Sequence, residues 1–358
     1  ETIKKYFRQL KFFTNNDFAF IEVHNEKLFY QNAIVLLKMV EMLQNIRLQT
    51  NNDNQFLGDL FEGFLDKGVK QSEGQYFTPM PIVKFILYSL PLEKIYNEAE
   101  VPPQVIDYAC GSGHFLTELA KQIKPILVRE NKNVDLSSYY KAITGIEKEY
   151  RLSKVSKVSA FMYRQDDIKI IYADALSKKS GVKDGEYSIL VANPPYSVKG
   201  FLETLDKQER EAFELSSVVD DKALSTNNCI ETFFIERAKQ LLKPGGVAGI
   251  ILPSSILSND KAIYTVTREI LIKYFYIKAI VEFGSQTFGK TGTNTVVLFL
   301  QRREENPAAA DHWKNRVNDW FYHEDQAKEK TYADISKLQE YCNYIGISYG
   351  DYRTFMEG

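Results

Sequence analysis

Cysteine and histidine are scarce in this sequence: three cysteines (Cys110, Cys229, Cys342) and four histidines (His24, His114, His312, His323) are scattered over 358 residues. An odd, widely spaced set of thiols supplies no disulfide framework, which points to a reduced, intracellular protein. The scattered histidines show no metal-ligand spacing, so no metal is expected. No apolar run approaches the ~20 residues that span a bilayer, and no signal-peptide pattern opens the chain. A membrane is therefore not expected among its partners, and the expected location is cytoplasmic. Charge of one sign is also lacking. A formal net charge of -2 gives no global mark of nucleic-acid binding, so any such surface has to be local. What remains is an ordinary globular composition, 44% hydrophobic and 26% charged, long enough for two domains or for one α/β domain with an appendage. The first residue is Glu1 rather than Met, as expected of a piece of something longer.

Three regions follow from the patterning. Residues 1–72 carry helical spacing, notably "NAIVLLKMVEMLQNI" (32–46) and "FLGDLFEGFLDKG" (56–68), the latter with Gly68 as a C-cap, and read as a helical domain. Residues 73–302 alternate strands and helices. "QVIDYA", "KAITGIE", "YSILVA" and "VAGIILP" read as strands, and "HFLTELAKQIKPIL" as a helix. "CIETFFIERAKQLL" reads as an amphipathic helix stopped by Lys243-Pro244-Gly245-Gly246, and "FYIKAIVEF" and "NTVVLFLQR" as paired strands. Such alternation predicts a doubly wound, mostly parallel sheet of the Rossmann-like α/β class. Residues 199–228, charged and hydroxyl-rich, interrupt it and are expected to form a surface loop or insertion, ordered by a ligand. Residues 303–358, with Trp313 and Trp320, form an extension to which no fold is assigned.

The chemistry concentrates at strand ends. In "VIDYACGSGHFL" (105–116) a strand ending in Asp107 runs through a Gly111-Ser112-Gly113 turn into a helix. Glycines there permit positive φ and close backbone approach, and the helix start offers free N–H groups. A dinucleotide fingerprint would place a third glycine where Leu116 stands. Asp107 suits a cationic or amino-bearing ligand better than a pyrophosphate. An ordinary βα turn would share the same local pattern. Cys110 reads as a small filler. Glu147, at the next strand end, suits ribose hydroxyls, although it lies about twice the usual ~20 residues away; an insertion around "RENKNVDLSSYY" absorbs the excess, and Glu149 competes for the role. Asp174 in "IIYADAL" suits an adenine amino group.

The fourth element is "ANPPY". Two prolines end the strand "YSILVA" abruptly and push Asn193 out of the helical region. Asn193 Oδ1 and the Pro194 carbonyl become two rigid acceptors for the hydrogens of an exocyclic amino group, and Tyr196 offers a stacking face.

Together, "VIDYACGSGHFL", "ANPPY" and the upstream "GQYFTPMPIV" (74–83) resemble the N6-adenine DNA methyltransferases that use S-adenosylmethionine. With the helical amino-terminal region, they resemble most of all the modification subunits of type I restriction systems and their fused type II relatives. The likeness covers roughly residues 55–300. It implies that Gln75, Tyr76, Phe77, Thr78, Pro79 and Met80, with Ala109, Gly111, Ser112, Gly113 and His114, line S-adenosylmethionine. Asp107 would lie near its amino-acid end, Glu147 would hold the ribose and Asp174 the adenine. Asn193, Pro194, Pro195 and Tyr196 would form the catalytic tip that holds a target adenine flipped out of double-stranded DNA. The family often has proline after the motif aspartate; this chain has Tyr108. No target-recognition segment is identifiable, so the resemblance implies a specificity subunit or a separate recognition domain, and a restriction subunit as a further partner. The alternatives are a protein-glutamine or RNA amino-group methyltransferase, which share the tip, and a catalytically silent DNA-binding scaffold. The lone Glu130-Asn131-Lys132, with no Pro-Asp before it, gives no nuclease signature.

Overall fold

The computed structural model describes residues 33–45, 78–129, 135–284, 287–288, 294–304, 339, 342–343 and 346–357. The chain divides into two units, Glu1–Glu304 and Glu305–Gly358.

In the first unit, α1 (Ala33–Leu43) occupies the first of the two expected amino-terminal helical segments; the second, 56–68, lies outside the described residues. Next come α2 (Met80–Ser89) and α3 (Leu92–Glu98). Pro79 caps α2 and Pro81 sits in its first turn, where a missing N–H leaves no bond unmade. Ile82, Val83, Ile86 and Leu87 form its buried stripe.

The sheet is built from β1 (Val105–Asp107), β2 (Ile143–Glu147), β3 (Lys169–Tyr172), β4 (Tyr187–Ala192), β5 (Leu242–Pro253), β6 (Phe275–Phe283) and β7 (Thr295–Arg302). Their spatial order is β3-β2-β1-β4-β5-β7-β6. The first five pair parallel, and β7 runs antiparallel to both β5 and β6. This is the expected doubly wound, mostly parallel sheet, including the expected β6–β7 pair. Strand order reverses between β1 and β4, and the crevice beyond their carboxyl ends is where sheets of this kind receive ligands.

Helices α4 (His114–Arg129), α5 (Leu136–Lys141), α6 (Tyr150–Met162), α7 (Lys207–Glu211), α8 (Ile230–Leu241), α9 (Ser255–Ser258) and α10 (Ala262–Tyr274) connect the strands. Of the insertion expected near 129–140, α5 is described and residues 130–134 are not. Two apolar clusters line the sheet. Along β4, Leu190 and Ala192 join the cluster that holds Phe233, Phe234 and Leu271, whereas Ile189 and Val191 join the one that holds Ile86, Leu119 and Ile123. A strand buried on both faces has no polar alternation, which is why "YSILVA" reads as a continuous apolar run.

Three expectations need correction. Helix α8 is not amphipathic in its surroundings: Glu231, Glu236 and Arg237 are as buried as its phenylalanines. Backbone and side-chain partners meet most of these charges, although Arg237 Nη2 is buried without a hydrogen-bond partner among the described residues. Glu236 accepts from the N–H groups of Glu214 (2.6 Å) and Leu215 (3.0 Å), and Arg237 Nε donates to Ala175 O (2.9 Å) while Nη1 pairs with Asp184 (2.7 Å). Lys243-Pro244-Gly245-Gly246 does not separate helix from strand. The chain turns extended at Leu242, and the four residues open β5. A Cβ on Gly246 would meet Tyr187 O at 2.9 Å, so glycine is what lets β5 reach β4 there. Residues 199–228 are not a surface excursion. Short 3-10 turns and α7 bury Phe201, Leu202, Leu205, Phe213 and Leu215 in the β4-facing cluster, and burial of that apolar area helps hold the segment on the core.

In the second unit, Gly346 (φ +73°) precedes α11 (Tyr349–Glu357); Trp313 and Trp320 lie outside the described residues.

Candidate active site at the carboxyl ends of β1, β2 and β4

The turn after β1 is shaped by its two glycines. Gly111 has φ +53° and Gly113 φ +87°, conformations that L side chains rarely adopt. A Cβ on Gly113 would also lie 2.4 Å from Ser156 Oγ of α6, whereas one on Gly111 would meet nothing within 4 Å. Gly113 thus lets the loop press against α6, and Gly111 faces open space. Ala109 N–H donates to Asp107 Oδ1 (3.0 Å) and Gly111 N–H to Glu147 Oε2 (2.9 Å), while Glu147 Oε1 accepts from Glu149 N–H (2.7 Å). Glu147, not Glu149, therefore clasps the glycine turn; Glu149 caps α6. Ser112 is buried in the turn and His114 opens α4. Cys110 is buried against the Gly145 backbone, with its thiol pKa raised by burial, the environment of a filler rather than of a nucleophile.

Asp107 and Glu147 are both buried, and burial pushes both carboxyls above the usual range. Backbone N–H bonds oppose the rise in each case, and the proximity of Glu147 adds to the rise at Asp107. Among the described residues neither forms an ion pair with Lys, Arg or His. Two desolvated acids without a cation are costly when ionised, and a positively charged ligand at the strand ends would offset that cost.

The tip after β4 lies across the crevice. Asn193 is half-buried, Pro194 buried and Pro195 half-buried. Asn193 Nδ2 donates to Thr78 Oγ1 (3.1 Å), and the Tyr196 hydroxyl donates to Asn193 Oδ1 (2.5 Å). Thr78 O lies 3.4 Å from His114 Nδ1, whose basicity is lowered by burial. Thr78 thus joins the tip to the start of α4, and Pro79 and Met80 lead from it into α2. Gln75, Tyr76 and Phe77 lie outside the described residues. Asp174 is less integrated. Its Oδ1 accepts from Leu176 N–H (3.0 Å) and its Oδ2 pairs with Lys148 (2.8 Å), so an adenine amino group would have to compete with that lysine.

Two groups that bear on the site were not read from the sequence. Lys148 bridges Asp174 to the loop after β2. Glu231 accepts from Ser197 N–H (3.1 Å), directly after the tip, and from the Tyr264 hydroxyl (2.6 Å). An acid in the first turn of an apolar helix favours the helix dipole, but that signal does not distinguish a buried acid from a solvated one. Among the described residues, no three His, Cys, Asp or Glu side chains group at metal-holding distance.

The chain is similar to proteins of known family. A type I restriction enzyme MpnII methylase subunit from Mycoplasma pneumoniae is 24% identical over 282 residues, which are 75% of this chain and 48% of that protein. The chain thus spans about half the length of this curated relative. A Listeria monocytogenes protein assigned to the class I S-adenosylmethionine-dependent methyltransferases superposes with TM-score 0.57 at 19% identity, covering 76% of each chain. The type I restriction-modification methyltransferase subunit of Streptococcus thermophilus gives TM-score 0.54 at 16% identity, over 79% of this chain and 61% of that one. These two share the fold. The family model described as N-6 DNA Methylase matches residues 52–344, most of the sequence. The chain belongs to the N-6 DNA methylase family.

Proposed function

We propose that this chain transfers a methyl group from S-adenosylmethionine to N6 of an adenine flipped out of double-stranded DNA, within a restriction-modification system. The observation that carries the reading is the convergence of Asn193, Thr78 and the Asp107–His114 turn at the strand-order reversal between β1 and β4. The residues fit the cofactor: the uncompensated Asp107 and Glu147 carboxyls suit a ligand bearing sulfonium and ammonium charges, and the open space at Gly111 admits it. When bound, S-adenosylmethionine supplies an electrophilic methyl on a sulfonium. Asp107 and the glycine turn would hold its amino-acid end, Glu147 would accept from the ribose hydroxyls, and Asp174 would accept from the adenine amino group in competition with Lys148.

At the tip, Asn193 Oδ1 and the Pro194 carbonyl accept the two hydrogens of the target amino group. That orients the nitrogen lone pair along the transfer axis and draws electron density onto it. After transfer the nitrogen gives its extra proton to water. Tyr196 stacks on the extruded base, which recovers part of the cost of unpairing it. Specificity for a DNA sequence would come from a specificity subunit or recognition domain, with a restriction subunit in the same assembly. Among the described residues no helix is long and apolar enough to cross a membrane, and a cytoplasmic location suits a DNA-modifying enzyme. The test is labelled S-adenosylmethionine with DNA, RNA and protein acceptors, with and without a specificity subunit. Label at adenine N6 that needs DNA supports the reading; label on a protein glutamine refutes it.

A further inference from the structure

Directly after the tip, Ser197 adopts φ +56°, a left-handed conformation that costs a non-glycine residue about 1–2 kcal/mol. Something must hold it there. Its N–H is held by the carboxylate of Glu231, a side chain only 1% exposed, in the first turn of α8. The other Glu231 oxygen accepts from the buried hydroxyl of Tyr264 on α10, an interaction that, after burial, raises the Tyr264 pKa. From Ser197 the connection passes to Tyr196, through its hydroxyl to Asn193 Oδ1, and through Asn193 Nδ2 to Thr78. A continuous series of bonds therefore runs from α10 to the amide that faces the target.

Resting on the function proposed above, we infer that Glu231 is a positioning residue for methyl transfer, braced by Tyr264. Fixing Ser197 in the left-handed region turns the backbone so that the Tyr196 ring and hydroxyl face Asn193. Without that clasp Ser197 relaxes to negative φ, and the ring that should receive the base is misaimed. The bonds of Glu231 run to Ser197 and Tyr264 rather than to the glycine turn or Asn193, so its effect falls on the use of the target.

The experiment uses the full chain with its specificity partner. It compares Glu231→Ala, Glu231→Gln, Tyr264→Phe and the double variant Glu231→Ala/Ser197→Gly by melting, S-adenosylmethionine calorimetry and steady-state kinetics. A duplex that the parent methylates, carrying 2-aminopurine at the target adenine, reports base extrusion by fluorescence. Glu231→Ala should lower kcat roughly 10- to 100-fold, the scale of a lost charge-assisted hydrogen bond. It should weaken the 2-aminopurine response and leave cofactor affinity unchanged. Glu231→Gln, whose amide oxygen still accepts from Ser197 N–H, should recover most of the rate, and Tyr264→Phe should fall between. Ser197→Gly should partly rescue Glu231→Ala, because glycine adopts positive φ without strain. Failure of that rescue, or loss of rate in proportion to loss of cofactor binding, would overturn the inference. A parent that methylates DNA beside an equally active Glu231→Ala overturns it alone. A parent that does not methylate DNA brings down the functional reading and the inference together.

Discussion

The phenol hydroxyl of Tyr196 donates to Asn193 Oδ1 at 2.5 Å, so the ring assigned to stacking is tethered to the amide assigned to the amino group. Residues in one hydrogen-bonded unit do not contribute additively. Asn193→Ala should cost about 100- to 1000-fold in the methylation rate, the scale for loss of a preorganised polar contact, with little change in cofactor affinity. Tyr196→Phe should slow the parent several-fold yet make almost no difference in the Asn193→Ala background. A double-mutant cycle on initial rates measures this; additive effects would mean that the bond is idle.

Thr78 is the other hold on that amide. Thr78→Val keeps the shape and removes the acceptor for Asn193 Nδ2, and should lower kcat by about tenfold, near the 1.4 kcal/mol of one hydrogen bond. Thr78→Ser should stay close to the parent. The backbone contact with His114 survives in both variants. Equal rates for Val and Ser would show that Asn193 needs no support from Thr78.

Burial gives Asp107 and Glu147 raised pKa values in the folded chain, so folding tightens their hold on protons. Their stabilising contribution is fully present below the ordinary carboxylate range near ~4, and is lost as pH rises through the raised values. Melting of the ligand-free chain across that window should therefore fall less steeply with pH for Asp107→Asn than for the parent. S-adenosylmethionine favours the ionised acids, so its binding should release protons and tighten as pH rises through the same window. Calorimetry in two buffers of different ionisation heat detects the release. Identical heats would contradict the assignment of these acids to the cofactor, as would undiminished affinity of Asp107→Asn, expected to be about 10- to 100-fold weaker.

Gly145 in β2 carries the start of α4. A Cβ there would lie 2.5 Å from Leu116 Cδ1 and 2.9 Å from Cys110 Sγ. Gly145→Ala should destabilise by about 1–3 kcal/mol, as overpacked cores do, and displace the glycine turn. A lower urea midpoint with weaker cofactor binding is expected; an unchanged midpoint would mean that the turn accommodates the methyl.

Much of the backbone geometry at the strand ends was legible because its signals are local. Pro194 and Pro195 end a strand wherever they occur, Gly111 and Gly113 permit one particular turn, and Asp107 and Glu147 stand at the ends of apolar runs. The clasp around Asn193 was not legible, because Thr78 lies 115 positions away and no local pattern states that pairing. The buried charges of α8 were hidden for a different reason. Glu231, Glu236 and Arg237 look like a solvated face until their backbone and side-chain partners are known. Residues 199–228 misled through composition, since five apolar side chains spaced among charged ones help hold the segment on the core.

The approach of α2 to Gly249, where a Cβ would meet Ile86 Cγ2 at 2.7 Å, sets an order of events during synthesis. Helix α2 is made early, yet the strand that receives Ile86 is made late. At ribosomal speeds of roughly 5–20 residues per second, Ile86 waits on the order of 10–30 s for Gly249. Through most of that interval Thr78 has no Asn193 to meet, and the exposed part of the α2 stripe invites chaperones and proteases. Chains stalled before β5 should be cleaved within α2 by a protease that spares the finished protein; equal resistance would mean that the helix finds cover earlier.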